Sequence, residues 1–224
     1  MRKSLALGGR AWPPQVTLAT SAPPSSLEVP ITDGPGLVER FAREALDAGA
    51  SVSRADSFDA LRAQIVGRVT AESVSEVVLG DTPLLAALDL DEALERTGIR
   101  VTIAALRPSG PGRRELRLAA AQADIGICEV EYGIAESGTL VVLHGPEQAR
   151  LVSLLPPVHI AILRMSNLEP NLPAFFKRLA GGENQLGSAL TFITGPSRTA
   201  DIEFVLTTGV HGPGSLHVAL LGGE

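Results

Sequence analysis

The densest run of chemically capable residues is Thr194-Gly195-Pro196-Ser197-Arg198-Thr199-Ala200-Asp201-Ile202-Glu203. It reads as a strand end, a tight turn and the opening of a helix from about Thr199 to Thr207. In that geometry the free amides of the helix start, its partial positive charge, the hydroxyls of Ser197 and Thr199 and the Arg198 guanidinium converge on a phosphate or carboxylate. A purely structural account stands level with it: Ser197 or Thr199 caps the helix and Arg198 pairs with Asp201. Gly209-Val210-His211-Gly212-Pro213-Gly214 is the second cluster. A loop histidine titrates near neutrality and loops at strand ends line ligand crevices. This loop enters a strand instead of leaving one, so a structural turn with an idle His211 is slightly favoured. Third, Ala135-Glu136-Ser137-Gly138-Thr139 places a carboxylate and two hydroxyls on one turn, able to hydrogen-bond a sugar or a cofactor tail.

Other polar groups carry less. Glu129 and Glu131 share one strand face, which suits a cation or acid–base work, but such pairs are commoner on solvated faces and they stay outside the candidate site. His144 and His159 stand near strand ends, and His217 falls inside the last strand pattern. The chain has no Gly-x-Gly-x-x-Gly, Walker-type lysine, metal-spaced histidine cluster or Gly-x-Ser-x-Gly elbow.

These residues must be positioned by an α/β chain. Leu37, Val38, Phe41, Ala45 and Ala48 recur at helical spacing before Gly49. Ala50–Arg54 reads as a strand, and Asp56 or Ser57 as the cap of a helix bearing Phe58, Leu61, Ile65, Val66 and Val69. Glu76–Gly80 is a buried-strand pattern, followed by Asp81-Thr82-Pro83 as a helix start. The rhythm continues with strand Ile99–Leu106, helix Arg113–Ala123 and strand Asp124–Glu131. Tyr132–Gly138 reads as a turn to Thr139–Leu143, which makes those two strands antiparallel neighbours. Strand His159–Arg164, helix Leu172–Leu179, strand Leu190–Thr194 and strand Leu216–Leu221 complete the pattern. The expected fold is a mixed, mostly parallel sheet flanked by helices. Residues 1–32 form a Pro/Ser-rich arm that buries little apolar area, and 33–224 form the folded domain.

Composition narrows the partners. With 224 residues, 45% of them hydrophobic, the chain supports one core. A formal charge of -6, with Lys and Arg scattered, gives no general attraction for nucleic acid. The single Cys128 is too few for a disulfide, a structural zinc site or an iron–sulfur cluster, and points to a reducing compartment. No run reaches the length of a membrane span and no export signal is read, so a cytoplasmic protein is expected.

Taken in order, Ala123-Asp124-Ile125-Gly126, Ala135–Thr139, Ser153-Leu154-Leu155-Pro156, Gly195–Glu203 and Gly209–Pro213 resemble the lactate-utilisation (LUD) family, most nearly its lactate utilisation protein C type. Ser137 stands where a Thr is expected, which keeps the hydroxyl. The resemblance is dense from Asp124 onward; the arm before Pro30 has no counterpart in it. It implies a NagB/RpiA/CoA-transferase-like fold and an accessory role in bacterial L-lactate oxidation to pyruvate. Cysteine clusters would then sit on iron–sulfur partner proteins and none on this chain. The family's motifs map onto Glu136, Ser137, Gly138, Thr139, Ser197, Arg198, Thr199, Asp201, Glu203 and His211. With Gly195 and Gly212, these form the candidate site for a small anion, Glu136 and His211 being the candidates for chemistry. A non-redox subunit that binds an anion and docks on iron–sulfur proteins is the leading expectation. The alternative is an autonomous isomerase, CoA transferase or folate cyclo-ligase using Glu136 or His211 as nucleophile or base. A protein whose loops only pack is the third.

Overall fold

Strand residues that point alternately to two apolar layers organise this chain. In the strand Ile125–Val130 (β4), Ile125 and Ile127 join one buried cluster while Cys128 and Val130 join another on the opposite face. The same alternation divides Ile160 and Ile162 from Ala161 and Leu163 in the strand Val158–Arg164 (β7). A strand buried on both faces is what a parallel sheet covered by helices requires.

The structure is a computed structural model, and it describes residues 35–105, 112–145, 148–181, 188–200, 206–208 and 211–223. The N-terminal arm, Asp201 and Glu203 lie outside the described residues.

The elements run α1 (Pro35–Asp47), β1 (Ser51–Ala55), α2 (Phe58–Ala71), β2 (Glu76–Leu79), α3 (Pro83–Ala87), α4 (Leu90–Glu95), β3 (Arg100–Ile103), α5 (Arg113–Gln122), β4, β5 (Tyr132–Ile134) and β6 (Thr139–His144). They continue with β7, β8 (Leu168–Glu169), α6 (Leu172–Ala180), β9 (Ala189–Ile193), β10 (Arg198–Ala200), β11 (Leu206–Thr208) and β12 (Ser215–Leu221). A 3₁₀ turn, Arg150–Ser153, precedes β7. Six strands form a parallel sheet in the order β1-β12-β7-β4-β2-β3. Leu61, Ile65 and Val69 of α2 and Leu84, Leu85, Leu90 and Leu94 of α3 and α4 cover one face. Phe41 and Ala45 of α1 and Leu116 and Ala120 of α5 cover the other. Each fully buried Leu, Ile or Phe contributes about 1.5–3 kcal/mol, so these layers dominate the stability.

Local signals explain the helix starts. Ser57 accepts from the Ala60 amide, Thr82 from Leu85 and Asn171 from Ala174, and Pro83 sits in the first turn of α3. Helix α1 ends in a Schellman arrangement: Gly49 (φ 93°) donates to the Leu46 carbonyl and Ala50 to that of Ala45.

The expected α/β architecture holds, with three corrections in detail. Tyr132–Ile134 is a strand, and β6 pairs antiparallel with β5 and β9, not with β4; these strands lie in a second sheet, β8-β5-β6-β9, packed under Phe175 of α6. Gly133 marks close packing there instead of a turn, since an added Cβ would come within 2.5 Å of Leu163 and 2.7 Å of Leu168. The helix expected from about Thr199 to Thr207 does not form: Arg198–Ala200 pairs antiparallel with Leu206–Thr208.

Candidate functional site

The Gly195 turn is held by backbone packing. Gly195 has φ 75°, and a Cβ there would lie 2.3 Å from the Ala48 carbonyl oxygen, so the turn sits directly on the end of α1. Arg198 lies against the same helix end: a Cβ added at Gly49 would be 2.1 Å from its Nη2. Ser197 donates its amide to the Pro213 carbonyl at 2.8 Å, which ties the turn to the loop that carries His211 and Gly212. Because the turn leads into β10 and not into a helix, no helix-start amides act here, and the helix end beside Arg198 is the carboxyl end of α1, which favours the guanidinium. The anion-binding reading rests on side chains alone.

Those side chains line one cleft of about 550 Å³. Ser197, Arg198 and His211 meet Thr191 and Thr194 from β9 and its end, and Arg150 and Ser153 from the 3₁₀ turn. Among the described residues neither Arg150 nor Arg198 has a carboxylate within salt-bridge distance. Two guanidinium groups, several hydroxyls and an imidazole in one concavity can hold a carboxylate or phosphate through charge-assisted hydrogen bonds. The cleft lies at the amino ends of β1, β7 and β12, since Ala48, Ser153 and His211 each precede one of these adjacent parallel strands. Open α/β sheets usually bind at the carboxyl ends instead.

The Glu136–Thr139 turn joins this cleft indirectly. Ser137 and Thr139 hydroxyls are 2.7 Å apart, and Thr139 is 2.8 Å from the Thr194 hydroxyl, so a hydroxyl chain runs from the turn to the cleft wall. Gly138 (φ 61°) presses on α1, where an added Cβ would be 2.2 Å from the Ala45 nitrogen. Glu136 faces elsewhere: its carboxylate accepts from the Leu172 amide at 2.9 Å at the start of α6. The structure therefore brings together Gly195, Ser197, Arg198, His211 and, across loop packing, Gly212. Thr199 lies on β10 and Ser137–Thr139 lie behind Thr194.

Sequence reading passed over a buried polar cluster beside β4. Glu131 accepts from the Leu143 amide (2.7 Å) and from Gln148 Nε2 (3.1 Å), and burial together with nearby Glu129 raises its carboxyl to about 7. Gln148 also donates to the Glu129 carbonyl, while its Oε1 has no partner among the described residues. The Cys128 sulfur lies 3.0 Å from His159 Nε2, and burial pushes the thiol well above its ordinary value, so it is no ready nucleophile. Burial lowers His159 to about 4. The signal available in the sequence was the Glu129/Glu131 pair at a strand end; the partner Gln148 comes from a distant loop.

Among the described residues no group of three or more His, Cys, Asp or Glu side chains is placed to hold a metal, and no helix is long and apolar enough to cross a membrane.

The chain is similar to several curated proteins. It is 50% identical over 98 residues to lactate utilization protein C of Halalkalibacterium halodurans, covering 42% of each chain. To the protein of the same name from Geobacillus thermodenitrificans it is 36% identical over 155 residues, 65% of this chain and 62% of that one. For the one from Geobacillus kaustophilus the figures are 33% over 172 residues, 70% and 69%. The aligned region thus spans between 42% and 62% of the length of the first two relatives. A crystal structure of a DUF162 family protein from Deinococcus radiodurans superposes with a TM-score of 0.57 at 19% identity, covering 84% of this chain and 97% of that one, a likeness of fold. The LUD domain model matches residues 38–221, from within α1 to the end of β12, and the chain belongs to the LUD domain family.

Proposed function

We propose that this chain is an accessory component of bacterial L-lactate utilisation, the oxidation of lactate to pyruvate. It binds a small anion in the Arg150–Arg198 cleft and docks on iron–sulfur proteins that carry the electrons. The observation that carries this reading is the convergence of two arginines, neither paired among the described residues, with Ser197, Thr191, Thr194 and His211. A carboxylate or phosphate there gains two charge-assisted contacts, and Gly49 leaves room for the Arg198 guanidinium to be held in place before binding. The names of the similar proteins support the pathway.

Ligand chemistry supports placing the clusters on partners. One cysteine, buried against His159, supplies neither the number nor the accessibility of thiolates that a cluster needs. The engagement of Glu136 with the Leu172 amide favours binding over covalent catalysis by that carboxylate.

Reconstitution tests the proposal. The purified chain mixed with L-lactate and an electron-accepting dye is expected to form no pyruvate. Addition of iron–sulfur lactate-utilisation proteins is expected to give turnover that falls at least tenfold with Arg198→Ala. Turnover by the isolated chain, or turnover by the partners that does not depend on it, overturns the proposal.

A further inference from the structure

A second cleft, of about 510 Å³, adjoins the first and shares only Arg150 and Leu154 with it. Its floor is apolar, formed by buried Leu116 of α5 with Leu151 and the half-exposed Leu155. Arg113 and Arg117, one turn apart on α5, and Arg150 stand around it. Lys and Arg are scattered along the sequence, but the packing of α5 on the 3₁₀ turn gathers these three.

This arrangement works against the fold. Arg113 and Arg114 occupy the first turn of α5, where the helix dipole disfavours cations, and Arg113 and Arg117 are like charges at i,i+4. Only Glu115 opposes this, by accepting from the Gly112 amide at 3.0 Å. No carboxylate among the described residues lies within salt-bridge distance of Arg113, Arg117 or Arg150. Departures from local rules without a structural return concentrate at functional sites. A chain of net charge -6 that gathers three arginines, unpaired among the described residues, around leucines presents a surface complementary to one chemistry: negative charge joined to an apolar body.

We propose that this cleft binds an amphipathic monocarboxylate, its aliphatic or aromatic body on Leu116, Leu151 and Leu155 and its carboxylate on Arg113 and Arg117. Its carboxylate anchors, Arg113 and Arg117, are distinct from Arg198 of the small-anion cleft, which it meets at Arg150 and Leu154. A concave pocket of this volume suits a small molecule better than a membrane surface, which needs a convex or flat basic face.

Isothermal titration with octanoate, acetate and 1-octanol separates the contributions. Octanoate is expected to bind saturably at one site, with acetate and octanol each at least tenfold weaker. The double variant Arg113→Gln/Arg117→Gln is expected to weaken octanoate about tenfold or more, as loss of hydrogen bonds to a charged group requires. Because both side chains are exposed and their charges oppose the helix start, this variant should melt no lower than wild type. Leu155→Ser is expected to weaken octanoate severalfold and leave acetate unchanged. Arg198→Ala is expected to leave octanoate binding intact, so failure of the first cleft and failure of this one give different patterns. Overturning results are no octanoate binding by folded protein, acetate binding as well as octanoate, octanoate binding that needs Arg198 but not Arg113 and Arg117, or binding to anionic phosphatidylglycerol vesicles without binding to octanoate.

Discussion

Glu131→Gln should change how stability depends on pH, by an amount set by the surroundings of the carboxyl. Burial and Glu129 hold Glu131 near 7 against an ordinary 4.5, despite donors from Leu143 and Gln148. Between those values the folded protein keeps a proton that the unfolded chain has released. The stability tied to this group is therefore full below pH 4.5 and is lost as pH rises through 7. The difference between the two values corresponds to about 3 kcal/mol at most, and to less in proportion as solvent reaches the half-buried group. His159 and His217 work in the opposite direction, since burial lowers both to about 4. Their contribution is present above 6.5 and lost as pH falls through 4, so the wild-type curve alone mixes the two effects. Urea unfolding of wild type and Glu131→Gln at steps from pH 4 to 8 isolates the carboxyl. The variant is expected to gain about 2–3 kcal/mol relative to wild type across pH 4.5 to 8. Parallel curves over that range would refute the reasoning, whatever the constant offset between them.

Three further outcomes follow from the packing. Gly138→Ala combines a positive φ with a Cβ 2.2 Å from the α1 backbone, so thermal unfolding should show a loss of about 2 kcal/mol or more. Asp124 accepts from the Ser75 and Glu76 amides at 2.8 and 3.0 Å, which holds its carboxyl below the ordinary value. Asp124→Ala should cost about 1–2 kcal/mol near neutrality, and the difference should shrink as pH falls below 4 in denaturation curves. His217 sits between the hydroxyls of Ser51 and Ser53 at 2.8 and 3.0 Å, with Arg68 near. Replacing it with Gln should flatten part of the loss of stability on going from pH 6.5 to 4, read by the same urea titration.

What the sequence disclosed follows the range of the interactions involved. Ser57, Thr82, Pro83 and Gly49 act within a few residues of themselves, and the helix ends they announce are where they were expected. The parallel core was legible because its strands are apolar on both faces. Arg198–Ala200 was misread because its ladder partner, Leu206–Thr208, is set by pairing and not by local spacing. Gly133 was read as a turn because a glycine needed for close approach looks the same as one needed for φ. At the site, the turn around Gly195 and the His211 loop were visible as motifs. Arg150, Thr191 and the arginine-rimmed second cleft were not, since they arrive from separate elements that only the folded chain brings together.

Anion binding at Arg198 is tested most directly by a thermal-shift titration of wild type and Arg198→Ala with phosphate, L-lactate and pyruvate. At least one of these anions is expected to stabilise wild type, by about 2.7 kcal/mol at a hundredfold excess over its Kd. Arg198→Ala should melt like free wild type and need at least tenfold more of that anion for the same shift. Wild type unmoved by all three anions, or a variant that responds as wild type does, would contradict it.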